Sequence, residues 1–185
     1  MSDPSHFSRR KFLTASAGVL LSALVVPNAL ANPDFWEQPR TLSLVRPDTG
    51  ERVQATYWDN GAIPSGYAEL CHLLRDTRIG ATVAMEPRLL DLLFGIQGYV
   101  EALDDKLPWL TIISGYRAES TNRLLIRQGL PASLTSRHIS GEAVDIKVAG
   151  MKAAMLGKVA RRMGAGGVGV YSTSCHVDIG PKRSW

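Results

Sequence analysis

The chain has 185 residues, 45% of them hydrophobic, with 21 lysines and arginines against 17 aspartates and glutamates. This is enough for one domain with a buried core and too little for two once a leader is set aside. Half of the formal charge of +4 comes from Arg9, Arg10 and Lys11 set against Asp3, so the balance gives no reason to expect a nucleic-acid partner.

Ser8-Arg9-Arg10-Lys11-Phe12-Leu13, followed by an uncharged apolar run from Ala15 to Val26, predicts a twin-arginine export signal. Ala29-Leu30-Ala31 supplies a small-x-small cleavage site, so residues 1–31 are assigned to the signal and the mature chain is expected to start at Asn32. The apolar run is shorter than the roughly 20 residues that span a bilayer. No stable membrane insertion is expected after cleavage, an uncleaved anchor being the alternative, and the implied address is the periplasm. Cys71 and Cys175 are then bound for an oxidising space, where a disulfide or two buried thiols are both open.

Residues 32–40 read as a lead-in, with Phe35 and Trp36 free to dock on the body. Thr41 to Val45 and Glu51 to Trp58 read as strands of a hairpin about the Asp48-Thr49-Gly50 turn. Tyr67 to Leu74 and Pro87 to Leu103 carry helical apolar spacing, and Pro87 suits a first turn. His72, in the first of these helices, lacks a partner at the (i, i+4) position and reads as an ordinary core or surface histidine. Leu110 to Ser114 is a predicted strand, and Ser120 or Thr121 is placed to cap a helix through Gln128 that Gly129 and Pro131 end. Ala143 to Val148 is a strand, Lys152 to Met163 an amphipathic helix, and Val168 to Tyr171 with His176 to Ile179 a hairpin. The order of elements predicts an α+β fold, a small and mainly antiparallel sheet with helices packed on one face.

Two segments carry chemistry. In Ala143-Val144-Asp145-Ile146-Lys147-Val148, strand alternation sends Val144, Ile146 and Val148 to one face and Asp145 to the other. A covered, unpaired carboxylate there would be costly, and a nearby cation would resolve it. In His176-Val177-Asp178-Ile179 the same alternation sends His176 and Asp178 away from the core. Ile139-Ser140-Gly141 reads as a turn that returns His138 beside the first strand. If the strands pair, His138, Asp145, His176 and Asp178 line one surface, and their imidazoles and carboxylates suit zinc. The alternative is that His176 and Asp178 pair with lysines or arginines on a solvated face. Cys175 should point away from His176, which argues against a thiol nucleophile. Neither Ser136 nor Ser140 sits on a Gly-x-Ser-x-Gly turn.

Ser136-x-His138-x-x-Gly141-x-Ala143-x-Asp145 resembles the signature of the zinc D-alanyl-D-alanine carboxypeptidase and dipeptidase family, whose fold is shared with the hedgehog signalling domain. The resemblance extends to Ser114-Gly115-Tyr116-Arg117-Ala118-Glu119-Ser120-Thr121-Asn122, to Gly167-Val168-Gly169-Val170-Tyr171, and to His176-Val177-Asp178-Ile179-Gly180, ending near Arg183 and Trp185. It is nearest to the exported bacterial murein endopeptidases of that family and spans residues 41–185, which it marks as a zinc peptidase domain. It implies that His138, Asp145 and His176 are zinc ligands, that Arg117 stabilises an oxyanion, and that Ser136 lies by the substrate. Glu119 and Asn122 are expected to support the Arg117 loop. Several branches carry a general-base carboxylate three residues before the last histidine, where this chain has Thr173. Asp178 is the substitute, since it shares a strand face with His176.

The reading is an exported, zinc-dependent, monomeric murein endopeptidase whose partner is peptidoglycan, carboxypeptidase being less favoured. Its rivals are a non-catalytic zinc module that binds the wall or a partner, and a periplasmic domain with no metal.

Overall fold

The computed structural model describes residues 34–104 and 106–185, so the expected export signal, its cleavage site and the first residues of the lead-in lie outside the described residues. A short helix, α1 (Asp34–Glu37), precedes a hairpin of β1 (Arg40–Arg46) and β2 (Glu51–Trp58). Next come α2 (Pro64–Leu73), α3 (Pro87–Asp104), β3 (Leu110–Ser114), α4 (Glu119–Arg127) and β4 (Ala143–Val148). The chain ends with α5 (Ala153–Arg162), β5 (Gly167–Val170), β6 (Cys175–Asp178) and β7 (Arg183–Ser184).

Helix α2 starts three residues before the expected Tyr67, because Pro64 is pre-set for a first helical turn. Helix α4 starts at Glu119 with Ala118 at its N-cap and no side-chain cap, so neither Ser120 nor Thr121 caps it. The carboxylate of Asp76, 42 residues upstream, accepts the Ala118 N–H at 2.9 Å instead.

The seven strands form one sheet in the order β2-β1-β3-β4-β6-β5-β7. The α+β reading holds, but the sheet is mixed. β1 and β3 run parallel because two helices intervene, and β5 pairs in parallel with β7. The other four pairings are antiparallel, including the expected β5–β6 hairpin. β7 is two residues long, too short for an alternating pattern to announce it.

Alternation puts Leu42, Leu44, Leu110, Ile112, Val144, Ile146, Cys175 and Val177 into a single buried cluster. Helices α2, α3 and α5 cover that face with Leu70, Leu73, Leu89, Leu93, Ile96, Leu156 and Val159. Phe35 and Trp36 of α1 dock on Phe94 of α3, with ring centroids 4.8 and 5.9 Å away. Cys71 and Cys175 are both buried and free. The rest of β4 and β6 turns to the other side of the sheet, and there the polar residues gather.

Candidate metal centre

The register of the sheet builds most of this site. Ser114 on β3 stands opposite Asp145 on β4, Asp145 opposite His176 on β6, and His176 opposite Gly169 on β5. One cross-strand row therefore carries a hydroxyl, a carboxylate, an imidazole and a bare backbone position. His138 joins from the loop before β4. Gly141 closes that loop at φ +71°, a left-handed turn that favours glycine. The His138 carbonyl accepts the Arg117 N–H at 3.1 Å, which ties the two loops together.

One side-chain atom from each of His138, Asp145 and His176 lies within 4.8 Å of the others, and all three residues are buried. The outer nitrogens of both rings are committed. His138 Nδ1 lies 2.7 Å from the Gly115 carbonyl, which can only accept, so Nδ1 carries the proton. His176 Nε2 donates in the same way to Asp178 Oδ2 at 3.1 Å. When both rings are neutral with those outer protons in place, the inner nitrogens, His138 Nε2 and His176 Nδ1, lie 3.2 Å apart with lone pairs to offer a cation. Asp145 Oδ1 sits 2.9 Å from His176 Nδ1 and 3.5 Å from His138 Nε2. Two lone pairs and a carboxylate converging on one point fit a cation, and the set of two imidazoles and one carboxylate fits zinc among divalent ions. Charges follow the geometry. Burial lowers the pKa of His138; burial acts the same way on His176, but the Asp145 and Asp178 carboxylates outweigh it and raise that pKa. Burial would raise the pKa of Asp145, yet the two histidines hold it well below the usual carboxylate range.

Arg117 is fixed rather than free. Its Nε donates to Ser114 Oγ at 2.8 Å, and Nη2 donates to Asp145 Oδ2 at 2.6 Å while lying 3.2 Å from His138 Nε2. A cleft of about 680 Å³ opens over this group, lined by Arg117, Ser136, His138, His176, Tyr171 and Trp185 among others. Ser136 thus reaches the cleft.

Asp178 differs from expectation. It shares the strand face with His176, but it lies on the outer side of the imidazole, away from the cluster, and is fully buried. Oδ1 accepts the Gly167 and Gly180 N–H groups, both at 2.8 Å, and Oδ2 accepts from His176 and from Arg183 Nη2 at 2.5 Å. Burial opposes ionisation, but these donors hold the Asp178 pKa well below the usual range. Both oxygens of this carboxylate are thus engaged by donors of the fold.

Thr173 is exposed on the turn between β5 and β6. Cys175 faces the core, where burial pushes its thiol up to about 11. His72 is 63% exposed and lies 3.7 Å from Glu51. Glu119 pairs with Arg123 at the surface, while Asn122 holds the cleft-lining loop through Ser133 O at 2.7 Å; neither touches Arg117. Arg117 is steadied instead by Asp76, whose two carboxylate oxygens receive the Ala118 and Arg78 N–H groups. Asp76 has no sequence signal, because its partner comes from a distant loop. Arg183 and Trp185 were visible only as the end of the family resemblance.

The family model described as peptidoglycan L,D-endopeptidase MepK matches residues 35–185. The peptidoglycan L,D-endopeptidase MepK of Escherichia coli (strain K12) is 36% identical over 186 residues, which cover 99% of this chain and 100% of the relative. The probable peptidoglycan L,D-endopeptidase MepK of Haemophilus influenzae is 32% identical over 96% of this chain and 95% of its own. A solved structure, the Serratia marcescens L-Ala D-Glu endopeptidase ChiX, aligns with 52% of this chain and 80% of its own at 21% identity and a TM-score of 0.38, a likeness too distant to carry weight.

The converging lone pairs are expected to bind about one divalent ion per chain, lost in His138→Ala. Elemental analysis after dialysis checks this; an unchanged metal content in His138→Ala would place the ion elsewhere.

Proposed function

The chain belongs to the family of peptidoglycan L,D-endopeptidases, and from that premise we propose that it is an exported zinc endopeptidase cleaving a peptide bond between L and D residues in peptidoglycan. The observation that carries the reading is the convergence of His138, Asp145 and His176 on one point beneath an open cleft. His138 and His176 would hold zinc through Nε2 and Nδ1, with Asp145 as the third ligand. When bound, zinc would polarise a carbonyl oxygen and bring the pKa of water toward about 7.

The residues of the chain do the rest. Arg117, held on one side by Ser114 and on the other by Asp145, presents a fixed cation to the cleft where an oxyanion would develop. Its positioning is complete before substrate arrives, which is what makes such a donor effective. Ser136, which lines the same cleft, offers a hydroxyl for a substrate peptide group. Asp178 acts through His176: it fixes the ring and its tautomer and is not the proton acceptor. The Arg9-Arg10 pair before an apolar run and the nature of the substrate both support a periplasmic address.

One feature favours a second reading, a zinc-containing module that binds the wall without cutting it. With Thr173 turned to solvent and Asp178 fully engaged, no carboxylate side chain among the described residues lines the cleft.

Mature protein, zinc-loaded or metal-stripped, incubated with digested murein separates the two. New muropeptides are expected only with zinc; none from a fully loaded wild type would favour the binding module. Arg117→Ala should lower kcat by about 100- to 1000-fold with little change in KM, read from initial rates of muropeptide release. Asp178→Ala should weaken zinc binding by about 10- to 100-fold in competition with a chelator. At saturating zinc it should still cut. Abolished cleavage with normal zinc affinity would restore Asp178 as the base.

A further inference from the structure

The wall of the cleft nearest β7 carries an aromatic face held open to solvent. The Trp185 N–H donates to the Val168 carbonyl at 3.2 Å, and the Trp185 carbonyl accepts the Val170 N–H at 2.9 Å, so its backbone is tied to β5 on both sides. The side chain is nonetheless 53% exposed. The indole lies across Gly169, where an added Cβ would meet its ring atoms at 2.5–2.8 Å. Because Gly169 stands opposite His176 in the sheet, this seat brings the indole beside the imidazole, with centroids 5.2 Å apart. Arg183, anchored by Asp178, lies over the same ring, its guanidinium carbon 5.2 Å from the centroid, and leaves the rest of the indole to the cleft.

A large aromatic surface gains most by being covered, and burial within the fold is the ordinary outcome. Here backbone bonds and a missing side chain at residue 169 hold it rigidly exposed instead, so a ligand can cover it at little cost in ordering. An extended residue spans about 3.3–3.6 Å. The distance to His176 therefore places the indole within one or two residues of a bond held over the cluster.

We propose that Trp185, seated on Gly169, is a substrate-positioning residue, its indole the platform for the aliphatic part of a stem-peptide residue next to the scissile bond. The proposal rests on the peptidoglycan-cleaving reading and adds the contact that orients the substrate.

The test uses zinc-loaded wild type, Trp185→Ala, Trp185→Phe and Gly169→Ala with glycan-free cross-linked stem peptides. Trp185→Ala and Gly169→Ala should each raise KM about tenfold with kcat little changed, while Trp185→Phe keeps most of the affinity. Mixing wild type with the peptides in a stopped-flow instrument should change tryptophan fluorescence, and Trp185→Phe should remove that change. Zinc content should be the same in all four proteins. An unaltered KM in both Trp185→Ala and Gly169→Ala overturns the platform, as does an effect seen only with glycan-bearing fragments. Loss of zinc in step with loss of activity also overturns it, since Trp185 would then merely support the fold. Peptide binding that depends on Trp185 without any cleavage by wild type would uphold the platform and sink the endopeptidase reading.

Discussion

A carboxylate and an imidazole face each other across two central strands, Asp145 on β4 and His176 on β6, and both are buried. Sheet register allows neither to turn away, so each must be satisfied where it stands. The neighbouring structure reads as the answer to that demand. Arg117 is drawn onto Asp145, Asp178 onto the outer nitrogen of His176, and the Gly115 carbonyl onto the outer nitrogen of His138. What remains is a group of acceptors pointed at one place. The fold spends burial on a polar cluster that a cation completes.

The support of this cluster comes in two tiers. Arg117 owes its position to Ser114 and, through Ala118, to Asp76. His176 owes its position to Asp178, and Asp178 in turn to Arg183 and two backbone amides. The residues that converge at the cluster are thus few, and each is held by a group outside it. This is the arrangement that keeps a reactive geometry tight without making the reactive groups themselves bulky or numerous.

Much of this was legible in the sequence, and the reason is period. In β4 and β6, apolar residues alternate with Asp145, His176 and Asp178, so the face of each could be read before any pairing was known. Gly141 marked the turn that returns His138. What escaped is what periodicity does not encode. That Asp178 would face away from the cluster depends on Arg183, which lies on a strand of two residues with no pattern to read. That α4 would be capped by Asp76 depends on a contact 42 residues long. The parallel pairing of β1 with β3 is likewise a property of the crossover helices rather than of either strand. Gly169 lies in a segment where glycine reads as weak strand propensity, though its function is to leave room.

The two-residue strand β7 has a consequence for how the sheet ends. Beside the cleft, β5 would otherwise be an outermost strand, offering its row of amides and carbonyls as a template for any extended chain that came near. The Arg183 N–H takes the Gly166 carbonyl, the Trp185 N–H takes that of Val168, and the Trp185 carbonyl takes the Val170 N–H. With those groups occupied, an extended peptide cannot be recruited there by simple strand addition. The border of the sheet is closed to self-association at the place where an extended polymer must be handled, and selectivity is left to side chains rather than to the indiscriminate grip of a backbone.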